Sequence, residues 1–421
     1  MGEKRITRRE ILRAAPASLL LGTGRAEASN SRTDRGNTLI GALLSLTGDW
    51  STLGLASQAL LQIAVEEVND FFSALGQGRR FTLLVEDTKL KPDLALQKAV
   101  DLTLRGARYL IGPQSSSEAA AVRTFANGAG VILISPGSTA GSLAIAGDSL
   151  FRFVPSDEAE AEAMVALLRA RGVKVVVPIG RMDVGNEGLQ IATKRLFEAA
   201  GGVVKTGFRY GTDVNDFSAV LQSLSMQVSQ AVAERGSGNV AVYLTAFDEV
   251  ANLFSQAQGN AVLESVKWYG SDGVVLSAAL LGNVQAARFA AKVDYPNPTL
   301  GLNLAAQPKW LPLSQRVKQQ IGNEPDAFAL AAYDAFWVIA LLHALKDETQ
   351  RAVYSNQVLA RVADLYFGAT GWTSLNEAGD RRSGDYDFWA IREVNGALAW
   401  KKVLTFQSNP DQPGTIIELE S

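Results

Sequence analysis

The sequence predicts an α/β protein made of two successive halves, each with its own parallel sheet. From about residue 38 onward, short apolar segments of strand length alternate with amphipathic segments of helix length. This alternation is typical of βαβ units, whose parallel strands are covered on both faces. It restarts near residues 151–156. The length of 421 residues also favours two domains, since it is about twice the usual size of one.

The first half shows strand and helix patterns in strict alternation. In the first helical segment, Leu60, Leu61, Ala64 and Val68 recur at the spacing of one helix face. Strands are predicted at 39–46, 81–85, 109–111 and 131–134, and helices at 56–72, 93–104 and 118–127.

The second half repeats this alternation and is followed by a long apolar block. Strands are predicted at 173–179, 203–208, 240–244 and 266–269, and helices at 158–171, 188–200, 217–233 and 249–257. The block at 328–345 could be a membrane span or a core helix. Asp334 and His343 within it, together with its modest length, favour the core helix.

The first 28 residues have the pattern of an export signal. Arg8 and Arg9 precede a short apolar stretch at 14–22, and Ala26-Glu27-Ala28 resembles a small-residue cleavage site. The pattern is similar to twin-arginine signals, so we expect residues 1–28 to be a twin-arginine-type signal peptide and the protein to be periplasmic or extracytoplasmic. The alternative is a disordered basic tail.

Composition excludes several classes of function. The formal net charge of −3 does not suggest a nucleic-acid partner. The chain contains no cysteine, which excludes disulfides, thiolate metal sites and a lipid anchor on cysteine. His343 is its single histidine, and no Walker loop, dinucleotide-binding glycine motif or Gly-x-Ser-x-Gly elbow is present. We therefore expect no cofactor, no metal and no enzyme activity.

Three polar loops follow predicted strands of the first half, at 47–51, 114–117 and 135–139. Ligands of open parallel sheets bind at the carboxyl ends of strands, beside helix N-termini. The serine run Ser115–Ser117 opens a helix, where free backbone N–H groups and hydroxyls suit a carboxylate. Gly137 lets the backbone approach a ligand, and the Thr139 hydroxyl can donate or accept. Ordinary helix capping is the alternative for each loop taken alone.

At these loops the sequence resembles the type I periplasmic binding proteins of branched-chain amino-acid ABC transporters, the leucine/isoleucine/valine-binding group. The resemblance covers about residues 39–404. Its landmarks are Leu46-Thr47-Gly48 with Leu53-Gly54, Glu86-Asp87, Ile111-Gly112 with the serine run, Ile134-Ser135-Pro136 with residues 137–139, Pro325-Asp326-Ala327-Phe328 with Tyr333-Asp334-Ala335, and Gly379-Asp380-Arg381 with Gly384-Asp385-Tyr386.

The resemblance implies two Rossmann-like lobes joined by three crossings, with the ligand in the cleft between them. The crossings would fall near Phe153, Lys292 and Tyr386. The N-terminal lobe would then comprise 37–153 plus 292–385, and the C-terminal lobe 154–291 plus 386–410. Closure of the two lobes about this hinge would be the signal that a transporter reads.

The resemblance also implies roles for individual residues. Ser116 and Thr139 would hold a ligand carboxylate, the Gly137 carbonyl and Thr139 would take an ammonium group, and Asp272, in a Gly-x-acid-Gly turn, would approach that ammonium from the second lobe. Asp272 could otherwise be a turn residue. The ligand-binding residues predicted in this way are Trp50, Ser115, Ser116, Ser117, Gly137, Ser138, Thr139, Val184, Phe247, Asp272 and Phe328.

Several of these positions depart from the pattern of leucine-binding relatives. Val184 stands where a tyrosine is usual, Phe247 where another aromatic is usual, and Asp272 is one methylene shorter than the usual glutamate. Trp50 and Phe328 would line the side-chain pocket and favour an apolar or aromatic group, although either could belong to the core. The exact ligand is therefore left open.

Three functions compete at this stage. The favoured one is the substrate-binding protein of an ABC importer, which takes an amino acid or related small carboxylate and docks on a permease. The second is a periplasmic ligand-sensing module on the same fold that regulates a partner. The third is an enzyme on a Rossmann-like sheet, which would need a nucleotide loop or a proton-transfer group beside the cleft.

Overall fold

The computed structural model describes residues 37–344, 356–409 and 412–419. It is a mixed α/β structure with two parallel sheets, so the predicted fold class is confirmed. The predicted signal peptide, residues 1–28, lies outside the described residues.

The first parallel sheet has the strand order β2-β1-β3-β4-β5. Its inner strands are apolar and buried throughout because helices cover both faces. The elements are β1 (Asn37–Leu44), α1 (Ser51–Ala74), β2 (Arg80–Asp87), α2 (Pro92–Leu104), β3 (Tyr109–Ile111), α3 (Ser116–Ala129), β4 (Ile132–Ser135) and β5 (Leu150–Arg152).

The second parallel sheet has the order β10-β9-β6-β7, and β8 also pairs with β6. Its elements are α4 (Asp157–Ala170), β6 (Val175–Arg181), α5 (Val184–Ala199), β7 (Val203–Val204), β8 (Phe208–Tyr210), α6 (Ser218–Arg235), β9 (Val240–Thr245), α7 (Val250–Ala257) and β10 (Lys267–Tyr269). The single strand predicted at 203–208 is two short strands. Gly207 interrupts them with a positive φ of 68°, and a side chain there would collide with the backbone oxygen of Pro178.

The remaining elements complete both lobes and add an antiparallel sheet in the order β11-β14-β15-β16. They are α8 (Ala278–Gly282), α9 (Val284–Lys292), β11 (Asn297–Leu300), α10 (Gln307–Ile321), α11 (Ala327–Ala344), α12 (Asn356–Asp364), the two-stranded pair β12 (Phe367–Gly368) and β13 (Gly371–Trp372), and then β14 (Tyr386–Val394), β15 (Ala397–Gln407) and β16 (Thr415–Glu418). Strand β11, which the predicted division near Lys292 places in the first lobe, pairs with β14, which that division places in the second. The division near Lys292 stays a prediction.

Helix α11 is the apolar block of the sequence, and it packs inside the first lobe. By length and composition it could cross a membrane, but 83% of its 18 residues are buried within the protein. Its closest packing partner is α1, and its residues belong to the same hydrophobic core. Asp334 is fully buried there and accepts hydrogen bonds from Ala369 N–H, Thr370 N–H and the Thr370 hydroxyl, so this polar residue is satisfied within the core.

A buried ion pair joins the first sheet to a later loop near the first crossing. Arg152, at the end of β5, donates from Nε and Nη2 to Asp380 at 2.5 and 2.6 Å. Its Nη1 donates to the Ala140 carbonyl at 2.6 Å. Arg152 is 1% exposed and Asp380 is 2% exposed. Because both charges are compensated, this contact fixes the 379–381 loop where the chain passes between the lobes.

Helix α1 begins so close to β1 that only glycine fits at position 54. A Cβ on Gly54 would lie 1.9 Å from the Ser45 backbone oxygen. We expect Gly54→Ala to destabilise the protein by about 1–3 kcal/mol, because backbone must move to relieve the overlap. The control is Gly128→Ala in α3, where a Cβ meets nothing within 4 Å and helix propensity predicts stabilisation of about 0.5–1 kcal/mol. Thermal unfolding of both variants tests this, and equal behaviour would contradict it.

Candidate ligand-binding cleft

A cavity lies between the two lobes and brings most of the predicted site residues together. Its lining combines hydroxyl groups and small residues of the first lobe with acidic and apolar residues of the second. From the first lobe come Trp50, Ser115, Ser116, Gly137 and Thr139, and from the second come Asp157, Gly185, Asn186, Leu189, Phe247 and Asp272.

Ser115 is occupied by capping helix α3. Its hydroxyl accepts from the Glu118 N–H at 3.3 Å and donates to the Glu118 carboxylate at 2.6 Å, while Glu118 in turn accepts from the Ser115 N–H. This reciprocal arrangement is a capping box. The hydroxyl of Ser115 is therefore used in capping the helix, and Ser115 lines the cavity without offering it a free hydroxyl.

Ser116 fixes the loop after β4 against the start of α3. Its Oγ accepts from the N–H groups of Thr139 and Ala140, both at 3.2 Å, and is hydrogen-bonded to the Ser138 hydroxyl at 3.0 Å. A Cβ on Gly137 would lie 3.0 Å from the Gln114 oxygen and 3.3 Å from the Trp50 ring. Glycine thus lets this loop pack tightly against the tryptophan, as the sequence suggested.

Two of the predicted residues contact each other across the cleft but do not line the cavity. The N–H of Val184, at the start of α5, donates to the Ser117 hydroxyl at 3.0 Å. The N-terminus of a second-lobe helix is thereby held against the N-terminus of α3. Ser138 lies behind Ser116. Phe328 is 2% exposed within the core of the first lobe and is not among the lining residues.

An aromatic contact and an ion pair hold the lobes together. The ring centroids of Trp50 and Phe247 lie 4.3 Å apart across the cleft. The Arg181 guanidinium lies 5.5 Å from the centroid of Phe247 and forms an ion pair with Asp49 of the opposite lobe at 2.8 Å. Arg181 also pairs with Asp183 and Glu249. The structure is therefore a closed conformation.

Asp248 forms a second link between the lobes. Its N–H donates to the Asp49 carbonyl at 2.6 Å, and its carboxylate accepts from the Ser277 hydroxyl and, at 3.4 Å, from the hydroxyl of Thr52. The Thr52 hydroxyl also accepts from the Ala278 N–H at 3.1 Å. Burial raises the pKa of Asp248 to about 7.

Acidic groups concentrate on the second-lobe side of the cavity. Asp157 begins helix α4, Glu160 follows one turn later, and Asp272 opens a short 3₁₀ turn. Burial raises the pKa of Asp157 to about 6, against the opposing effects of Thr139 and Arg152. Burial likewise raises the pKa of Asp272 to about 7. Within the described part of the chain, neither lysine nor arginine forms an ion pair with any of the three.

Asp157 is the site residue that sequence reasoning missed. It is 2% exposed, and its N–H donates to the Thr139 carbonyl across the cleft at 2.9 Å. Neither of its carboxylate oxygens has a hydrogen-bond partner of good geometry among the described residues. In the sequence, Asp157 follows Ser156 at a helix start, where an acidic residue ordinarily serves the helix dipole. Asn186 and Leu189 were also missed, since nothing marks which face of α5 meets the cleft.

The described residues contain no group of three or more His, Asp or Glu side chains arranged to hold a metal ion. The arrangement offers hydroxyl and backbone donors at one end of the cavity and carboxyl groups at the other. Such a cavity can bind a small molecule that carries both an acceptor and a cationic group.

Comparisons with known proteins agree with this geometry. A family model described as "receptor family ligand binding region" matches residues 57–393. An uncharacterized protein of Methanocaldococcus jannaschii is 30% identical over 88% of this chain and 89% of its own length. Glutamate receptor 3.1 of Oryza sativa is 25% identical over 70% of this chain, which matches only 31% of that receptor.

Solved structures share the fold. The isoleucine complex of LivJ, the branched-chain amino acid transporter substrate-binding protein of Streptococcus pneumoniae, has a TM-score of 0.70 and 21% identity, covering 87% of this chain and 99% of LivJ. The leucine-binding protein LivK of Thermotoga maritima has a TM-score of 0.70 and 22% identity, covering 89% and 99%. A solute-binding protein of R. palustris with benzoate has a TM-score of 0.68 and 17% identity, covering 87% and 96%.

These findings confirm the resemblance inferred from the loops and landmarks. The chain has the type I periplasmic binding fold and belongs to the receptor family of ligand-binding regions.

Proposed function

We propose that the protein is the extracytoplasmic substrate-binding component of an ABC importer, which closes on an amino acid or related small carboxylate. The observation that carries this proposal is the composition of the inter-lobe cavity. Hydroxyl and backbone donors line it from one lobe. From the other come Asp157 and Asp272, which form no ion pair with a lysine or arginine of the described residues. Closure brings both sets to the same small molecule.

The two ends of the cavity suit the two ends of an amino acid. Ser116 and Thr139, 4% and 8% exposed, would hold the carboxylate through hydroxyl and backbone donors, with α3 adding the positive end of its dipole. Asp272 and Asp157 would hold the ammonium group, together with the Gly137 carbonyl. Closure removes water from both ends, which strengthens each charge-assisted hydrogen bond.

The ligands bound in the structural neighbours include both an amino acid and aromatic acids. LivJ is in complex with isoleucine, whereas two R. palustris solute-binding proteins are in complex with benzoate and 4-hydroxybenzoate. A benzoate brings a negative charge and no cation, and would leave Asp157 and Asp272 uncompensated. The acidic side of this cavity therefore favours an amino acid over an aromatic acid.

The fold relatives and the sequence support a function in transport. Several neighbours are named as ABC transporter substrate-binding proteins, and a permease would then be the partner of the closed form. The twin-arginine-type pattern of residues 1–28 supports export to the periplasm or another extracytoplasmic space. The proposal assigns the protein no chemical reaction.

A sensory function is the second candidate. Glutamate receptors of Oryza sativa and Arabidopsis thaliana match 70% and 69% of this chain, so the same family serves proteins named as receptors. A sensor and an importer component bind their ligand in the same way. They differ in the protein partner that recognises the closed form. Co-purification with a permease, or with a regulatory protein, separates the two.

Loss of Asp272 should discriminate amino acids from simple carboxylates. We expect Asp272→Ala to abolish the thermal stabilisation that amino acids give to the wild-type protein, because the ammonium loses its anion. Any stabilisation by benzoate should remain, since benzoate has no ammonium group. A thermal-shift screen of amino acids and aromatic acids over a concentration series measures this, and unchanged amino-acid affinity would remove Asp272 from the site.

Loss of the Thr139 hydroxyl should weaken either kind of ligand. We expect Thr139→Ala to cost about 1–3 kcal/mol of binding free energy, because a buried polar partner is stranded. Thr212→Ala, at an exposed loop position of the second lobe, is the matched control and should bind normally. Titration calorimetry gives both affinities, and equal affinities would contradict a ligand contact at Thr139.

The contact between Asp49 and Arg181 should govern how long the closed form lasts. Asp49 is partly exposed, with a side chain 40% accessible, so we expect Asp49→Asn to accelerate ligand release by only about two- to fivefold. Asp213→Asn, at an exposed site of the second lobe, is the control. Stopped-flow dissociation measures the rates, and an Asp49→Asn protein that releases ligand at the control rate would show that closure does not depend on this pair.

A further inference from the structure

Glu160 and Asp272 are neighbouring acidic residues on the second-lobe side of the cavity. The Asp272 N–H donates to Glu160 Oε1 at 3.1 Å, and Glu160 is 1% exposed. Two adjoining buried carboxyl groups without a cationic partner cannot both ionise at low cost, so the pair favours holding one proton.

The surroundings assign that proton to Glu160. Glu160 is 1% exposed and lies behind Asp272, outside the residues that line the cavity. Burial, with the nearby charges of Asp272 and Asp157, raises the pKa of Glu160 well above its usual value. Burial raises the pKa of Asp272 only to about 7, because hydrogen bonds from Glu160 and from the Gly273 backbone oppose it.

No basic group near the pair replaces this proton. The Arg152 guanidinium, which faces Asp157, forms its ion pair with Asp380. Apart from Arg152, the titratable groups that face the pair or its neighbour Asp157 are acidic or phenolic: Asp157 on the same helix, Asp183 before α5, Tyr243 on β9, Asp326 before α11 and Tyr386 on β14.

We propose that Glu160 is a positioning residue of the binding site: it keeps its proton at neutral pH and donates it in a hydrogen bond to Asp272, which carries the single negative charge of the pair and presents it to a ligand amine. This inference rests on the proposed function, because it assigns an amine-bearing ligand to the same cavity. In this proposal Glu160 does not touch the ligand. It sets the charge and the orientation of the Asp272 carboxylate, which does.

The pair gives binding a defined pH dependence. As the pH falls below about 7, Asp272 takes up a proton that an incoming ammonium group must displace, so affinity should fall by up to about tenfold per pH unit. As the pH rises above 7, Asp272 is already ionised in the ligand-free protein. Affinity should then level off, because Glu160 retains its proton throughout.

The protonation of Glu160 can be tested without any ligand. In the infrared spectrum of the ligand-free protein at pH 7.5, Glu160→Gln should remove a C=O stretch of a protonated carboxyl group. Glu162→Gln, at an exposed position of the same helix, is the matched control and should leave that band unchanged. If the band is intact in Glu160→Gln, Glu160 is ionised and the proposal is wrong.

Calorimetry tests the role of Glu160 in binding. The probe is the amino acid that gives the largest thermal shift, titrated from pH 6 to pH 8 in buffers of different ionisation enthalpy. We expect proton release at pH 6 that fades towards zero by pH 8, since the pKa values of Asp157 and Asp272 are about 6 and about 7. Release that continues undiminished at pH 8 would identify Glu160 as its source and overturn the proposal.

Two substitutions separate hydrogen bonding from charge. Glu160→Gln keeps a donor for Asp272 and should bind within about threefold of wild type with the same proton release, whereas Glu160→Ala should bind about tenfold or more weakly. Equal losses in both variants would mean that the negative charge of Glu160 is required, and no loss in either would exclude a positioning role. If no amino acid binds, the proposed function fails, while the infrared spectra still decide the protonation state of Glu160.

Discussion

The closed cleft buries carboxyl groups without any cationic side chain to neutralise them, and the chemistry of the site follows from this constraint. An ionised carboxylate withdrawn from water is costly unless it is paired. Elsewhere in the protein a cation lies beside the buried acids: Arg152 pairs with Asp380, and Arg181 lies within ion-pair distance of Asp49, Asp183 and Glu249. At Asp157, Glu160 and Asp272 it does not. Two solutions remain, protonation in the empty cleft and a cationic ligand in the filled one.

The closed form is stabilised by contacts that join one lobe to the other. The Asp49–Arg181 pair, the hydrogen bonds at Asp248 and the contact between Trp50 and Phe247 all join one lobe to the other. None involves the ligand, so they favour the closed form whether or not the cavity is filled. The uncompensated carboxylates oppose closure of the empty cleft. A ligand amine offsets the cost of burying these carboxylates. Closure therefore depends on the ligand, although most contacts between the lobes are made by protein groups.

The sequence predicted the fold well and the site partly, and the difference has a physical reason. Alternating strand and helix patterns fix a parallel α/β lobe, because each element buries its own apolar face. The polar loops at Ser116 and Thr139 could be found because ligands bind where parallel strands end. The antiparallel strands β14 and β15 were missed, since charged residues, Asp387 and Arg392 in β14 and Lys401 and Lys402 in β15, interrupt their apolar runs. Phe328 was assigned to the pocket because the sequence alone does not distinguish an aromatic residue of a core from one that lines a pocket. Asp157 and Glu160 could not be found, because Asp157 meets Thr139 only where the two lobes adjoin, and Glu160 meets Asp272, 112 residues further along the chain, only in the folded second lobe.

The walls of the cavity limit what the ligand can carry besides its amino and carboxyl groups. Trp50 and Phe247 contact each other directly, so an aromatic ligand would have to separate them and give up the closed contact. Leu189 and Gly185 complete the wall on the second lobe. Since the lining contains no basic side chain, a second carboxylate on the ligand would have no partner. For the amino acid that we propose as ligand, we therefore expect an uncharged side chain, and we expect dicarboxylates and aromatic acids to bind more weakly.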